Sequence, residues 1–432
     1  MKRSWDNVKP SARCQPSHPL LAFVAKLGQI SDAHKAKHEA EGKFLLSLAV
    51  GDPALDGNIP PPNTLTDAMS GIVAEGKCNG YVPCNGTADL RKAIAQYWVR
   101  WFAPSMAGSA ISENDVIVSC GASEGLLMAI GSVASAGDKI LLPKPFFSHY
   151  EATCAYFNIE PLLYPCLAER DWEVDLDALR EIVEQDHERK IRAILINNPS
   201  NPCGSNFSRA HTEDLVKFAE EMRIPILADE IYAGMTYNID NMSFDVPFTS
   251  VADVVSNATR FVISGASKRF SVPGERLGWV IRVDPTNAGS MIMKGIFNLS
   301  CRNQMPMTPL QTAMVQCLDT TDEAYFNNAK QILCENAVYM YASLSKIPGL
   351  TPMKPHGGMF MCVLLEKTNL ENDVCDGVSF ANKLAEEENV HVFPGEAFHM
   401  PCALRLTLSR PLPITKEAMR RIGAFCERHR RH

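Results

Sequence analysis

The 432-residue sequence contains no C-x-x-C pair, so neither a zinc ribbon nor a thioredoxin-like redox motif is on offer. Nor does any apolar run reach the ~18 to 20 residues needed to span a bilayer. There is no surplus of basic charge: 42 basic against 49 acidic residues leave a formal −7, whereas a nucleic-acid binder normally shows a concentrated basic face. Internal repeats and low-complexity tracts are missing as well. The first residues, MKRSWDNVKPSARCQPSHPLLAF, are basic but broken by Pro16 and Pro19 and carry no small-residue cleavage site, so a secretory signal is not expected. Fourteen cysteines are present, but they sit singly in apolar segments such as those around Cys120, Cys154, Cys334 and Cys362. Free, mostly buried thiols in a reducing cytosol fit that placement better than a disulfide scaffold; a mitochondrial location stays open.

What is there suits a large buried core. Hydrophobic residues make up 46% of the chain, which excludes wholesale disorder. At roughly 150 residues per domain the length suggests two or three domains, or one large α/β core with an appendage. Apolar runs alternate with amphipathic helical stretches through the middle: 115–119 (DVIVS), 139–142, 191–197 (IRAILIN), 225–229 (PILAD) and 260–264 (RFVIS) read as strands, 123–135 and 208–222 as helices. Strands that are apolar almost throughout and separated by helices indicate a mostly parallel sheet covered on both faces. We expect a seven-stranded-type sheet of this kind in a large domain over 76–305. A smaller α+β domain would combine the arm and segment 1–75 with 306–432, where strands at 360–365, 390–393 and 404–408 alternate with helices at 378–388 and 415–431. The terminal ERHRRH is a solvated helix end, where cations suit the macrodipole.

Ligands in such sheets sit beyond the carboxyl ends of the strands. Four segments stand there: Gly121-Ala122-Ser123, Asn197 to Gly204 (NNPSNPCG), Asp229-Glu230-Ile231-Tyr232, and Ser264 to Gly278 (SGASKRFSVPGERLG). The first would open a helix, offering backbone N–H groups and a hydroxyl to a phosphate, to which Arg276 could add a bidentate guanidinium. Asp229 could hold a protonated ring nitrogen, Tyr232 and Asn201 could bond a phenolate oxygen, and Phe147 could stack on an aromatic ring. Lys268 would supply the amine of a Schiff base. An amine, a carboxylate for a pyridinium, a phosphate cradle and a stacking face together describe pyridoxal 5′-phosphate. No metal site is expected.

Bland readings compete for each residue. Lys268 alone would be a strand-end surface cation, Asp229 a helix cap, Asn201 a turn residue, Phe147 core, and Arg405 a surface arginine beside a strand. The spacing of Lys268 to Arg276, with Gly274 and Gly278 flanking, and the place of Asp229 at the end of an apolar strand favour function. Asn58 and Arg302 are candidates for the wall of a substrate side-chain pocket, although loop polarity alone would explain both.

The same segments resemble the class I/II aminotransferases, the fold-type I pyridoxal-phosphate enzymes, over nearly the whole chain. Within that family the pattern is nearest to the tyrosine aminotransferases, carried by Trp5, LAVGDP at 48–53, Asn79-Gly80-Tyr81, NNPSNPCGSNFS, ILADEIYAGM and VPGERLGW. NPCGSNFSR paired with DEIYAGM suggests their trypanosomatid branch. The resemblance implies that Lys268 forms the Schiff base and then shuttles a proton between two carbons. It implies that Asp229 keeps the pyridine nitrogen protonated, and that Tyr232 and Asn201 bond the ring oxygen. Gly121, Ala122, Ser123, Ser267 and Arg276 would hold the phosphate, with Tyr81 arriving from the partner subunit of a homodimer. Arg405 would clamp the substrate α-carboxylate, and Gly51 would approach the substrate through its backbone.

Three positions depart from the pattern. Gly265 stands where many relatives carry a phosphate-binding serine, leaving Ser267 or Ser264 to take that contact. Glu275 replaces a frequent Trp, and Cys301-Arg302-Asn303-Gln304-Met305-Pro306 lacks the Gly-Pro-Cys of closer relatives. The expected reaction is ping-pong transamination between aromatic L-amino acids (tyrosine, also phenylalanine and tryptophan) and a 2-oxo acid. The rivals are an aminotransferase of broader alanine, aspartate or methionine type, a C–S lyase on the same fold, and a cofactor-sensing regulator without turnover. The last would normally carry a basic helix-turn-helix segment, and none is seen.

Overall fold

A computed structural model describes residues 19–107, 111–303 and 306–431. Trp5, Gln304 and Met305 lie outside the described residues. After the two-residue strand β1 (Leu46–Ser47) the chain builds a central sheet from β2 (Val116–Ser119), β3 (Lys139–Lys144), β4 (Glu160–Leu167), β5 (Glu173–Val174), β6 (Ile191–Asn197), β7 (Ile226–Asp229), β8 (Arg260–Gly265) and β9 (Gly278–Val283). Its order is β2-β9-β8-β7-β6-β3-β4-β5. The run β8-β7-β6-β3-β4 is parallel throughout, and antiparallel pairs close it at both ends. The sheet has eight strands where seven were expected, the additional one being the two-residue β5, an antiparallel partner of β4. β2, β7 and β8 are buried at every position, as strands covered on both faces must be. β4, β5 and β9 were not among the expected strands. Pro161 and Pro165 interrupt the β4 pattern, and only its place next to the short edge strand accommodates them.

One face of the sheet is covered by the helices Ala88–Phe102, Arg209–Met222 and Thr308–Thr320, whose buried side chains join those of the strands (Leu90, Trp98, Leu215, Leu310, Met314). The other face carries Ala122–Val133, His149–Phe157 and Ser290–Asn303 (Leu126, Ile130, Tyr150, Ile296). A separate core unites Leu27, Leu46 and Leu48 near the start of the chain with Leu333, Phe380, Leu406 and Phe425 near its end. Over it lies an antiparallel sheet, β10-β11-β14-β13, formed by β10 (Leu350–Pro352), β11 (Phe360–Leu365), β13 (Phe393–Pro394) and β14 (Ala403–Thr407), while β12 (Val390–His391) pairs with β1. Helix Glu323–Leu344 links the two cores: Phe326 packs in the first, and residues from Ala329 onward in the second. The segment after β7 does the same in reverse, since Tyr232, Met235 and Tyr237 belong to the second core.

The register places the chemistry. Asn197 lies opposite Asp229, and Asp229 opposite Ile263, so β6, β7 and β8 end level with one another. Gly265 and Ser119 both face Gly278 across β9. Everything that follows these strands therefore emerges along one edge, facing the second core.

Candidate active site

At that edge a cavity of about 490 Å³ opens, lined by Gly51, Ala122, Ser123, Phe147, Asn201, Asp229, Tyr232, Ser267, Lys268, Arg276 and Arg405 among others. The four strand-end segments and the arginine of the small sheet thus meet in one space. A larger cavity, about 630 Å³, opens beside Arg269, and none of the sequence-derived site residues lines it.

Asp229 is the last residue of β7 and is buried. Its Oδ2 accepts a hydrogen bond from Tyr150 Oη at 2.6 Å, and its Oδ1 one from the Ile231 amide at 3.2 Å. Burial pushes its carboxyl up to about 6, and the two donors oppose that rise. Even so it is mostly ionised at neutral pH, in a place where water cannot solvate it. Asn197 Nδ2 donates to the Asp229 carbonyl at 3.0 Å, while Asn197 Oδ1 accepts the Asn201 amide at 2.7 Å. One asparagine thereby fixes the turn that presents Asn201.

Lys268 sits in the single-turn helix Ala266–Arg269 that follows β8 directly. Its Nζ donates to the Gly51 carbonyl at 2.6 Å. Burial lowers its amine to about 8; Asp52 pulls the other way, and Arg405 and Arg276 push it further down. A side chain on Gly51 would stand 2.3 Å from the Phe360 ring, so only glycine lets this backbone come so close. Arg405, on β14, donates Nη1 to Asn201 Oδ1 at 2.8 Å and Nη2 to the Ala49 carbonyl at 2.7 Å. Its guanidinium lies 4.0 Å from the centre of Phe360 and 4.7 Å from those of Phe393 and Phe398. Burial brings it down to about 10, which leaves it charged at neutral pH; its buried Nε has no hydrogen-bond partner. Among the described residues no carboxylate pairs with it, and a buried cation so placed suits an anionic ligand.

At the opposite end the helix Ala122–Val133 begins at Gly121 without a side-chain cap. Gly121 has φ +80°, and a Cβ there would lie 2.4 Å from Arg276 Nη2; a Cβ on Gly278 would lie 2.3 Å from the Gly121 carbonyl carbon. These two glycines let Arg276 and the start of the helix pack closely beside the strand end. Arg276 donates to the Pro273 carbonyl at 2.8 Å and reaches the Cys120 carbonyl at 3.4 Å. Ser267 lines the cavity, whereas Ser264 Oγ donates to the Glu230 carbonyl at 3.0 Å. Of the two serines considered for that contact, Ser267 alone lines the cavity. A Cβ on Gly265 would meet the Leu277 carbonyl oxygen at 2.7 Å, so this backbone does not admit a serine there without shifting. Tyr232 is buried, and burial raises its phenol so that it stays protonated.

The donor set fits pyridoxal phosphate. A buried carboxylate that favours a ring cation, a largely desolvated amine, an aromatic wall at Phe147 and an uncapped helix start beside an arginine all face one space of suitable size. Three sequence candidates lie elsewhere. Asn58 Nδ2 donates to the Ser409 carbonyl at 2.9 Å, and Ser409 Oγ to the Asp52 carbonyl at 3.1 Å, so Asn58 holds the backbone behind Gly51 and does not line the cavity. Tyr81 is 93% exposed and away from the cavity of its own chain, as is the exposed Arg302 at the end of helix Ser290–Asn303. The sequence reading missed Tyr150, Asn197, Phe360 and Phe393, together with Leu20, Leu21, Val24 and Val50, which form an apolar wall. Asn197 had a signal, its place at a strand end; the others are apolar or aromatic residues that look like core.

Residues 44–422 match the family model described as aminotransferase class I and II. Tyrosine aminotransferase of Mus musculus is 34% identical over 433 aligned residues, covering 99% of this chain and 89% of that protein. The crystal structure of tyrosine aminotransferase from Leishmania infantum superposes with a TM-score of 0.88 at 32% identity, covering 99% of this chain and all of that one. An S-alkyl-thiohydroximate lyase of Arabidopsis thaliana is 28% identical, over 90% of this chain and 81% of its own length.

Proposed function

From the premise that the chain belongs to the class I and II aminotransferases, a pyridoxal-phosphate-dependent family, we propose that it moves the α-amino group of aromatic L-amino acids, tyrosine foremost, to a 2-oxo acid. The observation that carries this reading is the joint presence of Lys268, Asp229 and Arg405 in one cavity whose outer wall is apolar. Arg405 would take the substrate α-carboxylate; Leu20, Leu21, Val24 and Val50 would face its side chain. An apolar side chain suits that wall, since a carboxylate or ammonium placed there would be desolvated without a partner.

The bound cofactor supplies an electron-poor ring that accepts the electron pair left when the substrate Cα–H bond breaks. The protein's own groups make that step accessible. Asp229, ionised and buried, would favour a positive charge on the ring nitrogen. Lys268 Nζ, with its amine near 8, is neutral in a useful fraction at neutral pH and can accept the Cα proton and return it. Tyr232 and Asn201 offer hydrogen bonds to the ring oxygen, and Asn201 also orients Arg405. Gly121, Ala122, Ser123, Ser267 and Arg276 would hold the phosphate. Amino donor and oxo-acid acceptor use the same groups in turn, so ping-pong kinetics follow.

The exposure of Tyr81 supports a homodimer in which this residue completes the phosphate site of the partner subunit. The free thiols of the described cysteines support a reducing cytosolic location. Assay of the protein with tyrosine, phenylalanine, alanine and aspartate against 2-oxoglutarate, pyruvate and an aromatic 2-oxo acid tests the reaction. Transfer favouring the aromatic donors is expected; oxo-acid release without an acceptor would instead mean a lyase. Tyr81→Phe dimers should bind the cofactor more weakly, and mixed dimers with Lys268→Ala chains should regain one site of near-normal affinity; full affinity in the Tyr81→Phe dimer itself would mean that the sites are not shared.

A further inference from the structure

Tyr150 is a buried polar side chain at the cavity that has no role in the mechanism so far. It lies on the helix His149–Phe157, is 0% exposed, and aims its only polar atom at Asp229 Oδ2 across 2.6 Å. This is a short hydrogen bond, and its acceptor is the carboxylate on which the electron-sink chemistry depends. The same turn supplies Phe147, three residues earlier, whose ring meets the Tyr150 ring edge-on at 5.7 Å. One local structure therefore provides both a wall for the cofactor ring and a brace for its counter-ion.

We propose that Tyr150 is a positioning residue for the reaction: its hydroxyl fixes the orientation of the Asp229 carboxylate and holds it in the ionised form that pairs with the cofactor ring nitrogen. This inference rests on the aminotransferase reading and deepens it. The physical need is plain. A carboxylate this deeply buried loses its hydration, and burial drives it towards the neutral acid. A neutral acid would not stabilise a ring cation. Two donors counter that drive, the Ile231 amide and the Tyr150 hydroxyl, and Tyr150 has the shorter, side-chain contact.

The neighbours leave Tyr150 in that role. Glu230, next along the chain, is spent on Ser250 Oγ (2.6 Å) and the Val251 amide (2.8 Å). From β6, Asn197 reaches only the Asp229 backbone carbonyl. Tyr164, a further buried phenol, donates to the Leu195 carbonyl at 2.7 Å. Tyr232, on the same segment as Asp229, makes no hydrogen bond to that carboxylate among the described residues, and Lys268 is taken up by Gly51. Burial and the adjoining carboxylate keep the Tyr150 phenol protonated, so it remains a donor at any pH the enzyme meets.

The test uses the full-length protein in cofactor-free and cofactor-loaded forms. Removing the donor with Tyr150→Phe should move the Asp229 titration up by about one to two pH units, the shift given by losing one hydrogen bond to a charged group. That titration is read from the carboxyl infrared band that Asp229→Asn abolishes, and, independently, from the pH below which pyridoxal phosphate affinity declines. In the loaded enzyme kcat should fall at neutral pH more than KM rises, with the acid limb of the pH profile displaced upward. Replacing Tyr150 by 3-fluorotyrosine, a stronger donor of nearly the same shape, should move the same midpoint downward and leave folding intact. An Asp229 midpoint unchanged in both proteins, or moved in the same direction by both, overturns the proposal. If the wild-type protein takes up no pyridoxal phosphate at all, it is the aminotransferase reading that fails, and the infrared titration still decides the Tyr150–Asp229 linkage.

Discussion

The lowered amine of Lys268 has a consequence that can be measured without any substrate. In the unfolded chain this lysine titrates near its ordinary 10.5, and in the folded protein near 8. Between those values the unfolded state binds more protons, so stability should rise with pH across that window. Below about 8 both states carry the charge and the folded protein bears the full cost of keeping it partly out of water. Above 10.5 neither state is charged and the cost vanishes. A difference of 2.5 pH units corresponds to about 3 kcal/mol at ~1.4 kcal/mol per unit. Lys268 stands on the wall of an open cavity, so screening by solvent reduces this to about 1–2 kcal/mol. Lys268→Met keeps the length and apolar stem of the side chain but removes the proton equilibrium. Loss of the bond to the Gly51 carbonyl adds an offset of about 1 kcal/mol that does not change with pH. Urea unfolding of both cofactor-free proteins at intervals from pH 7 to 10.5 should therefore show the wild type gaining about 1–2 kcal/mol on the variant over that range. Parallel stability curves would mean that the amine is not depressed in the folded state, and the account of how it works as a base at neutral pH would fall with it.

Three further outcomes follow from the geometry. Gly121→Ala puts a methyl 2.4 Å from Arg276 Nη2 at a φ of +80°, so the guanidinium must move aside, and pyridoxal phosphate should bind roughly tenfold or more weakly through loss of a charge-assisted hydrogen bond of about 1.5–3 kcal/mol. A fluorescence titration of the cofactor-free protein checks this, and unchanged affinity would remove Gly121 from the phosphate cradle. Arg405→Lys keeps the charge but loses the fork that spans Asn201 and Ala49; kcat/KM for tyrosine should drop by about 10²-fold while cofactor absorbance stays normal. Equal loss of cofactor binding would show that Arg405 serves the fold and not the substrate. Gly265→Ser should lower stability by about 1–3 kcal/mol through overpacking against the Leu277 carbonyl, without tightening the cofactor. Tighter binding would indicate that the strand end can shift to admit the hydroxyl.

Much of the site was readable along the chain because the chemistry is local to strand ends. Apolar strands announce where they stop: Asp229 is the last residue of one, and Gly121, Asn201 and Lys268 each follow another within a few residues. The expected parallel sheet has the same origin, since strands buried on both faces must be apolar throughout. Other features could not be read this way. β4 hides behind two prolines, and Asn58 looks like any polar loop residue until its bond to Ser409 shows it behind Gly51. Tyr150 resembles a core aromatic because nothing in the order of residues reveals that its hydroxyl ends 2.6 Å from a carboxylate 79 positions away.

The sequence by itself settled which residue types stand at the strand ends, because side-chain alternation, turns and helix starts are short-range properties of the chain. Only the tertiary structure decided what those residues do to one another. The level endings of β6, β7 and β8 bring Asn197 and Asp229 side by side, and the packing of the second core carries Gly51, Phe360 and Arg405 over Lys268. The depressed amine and the raised carboxyl both arise from burial, and burial belongs to the assembled fold.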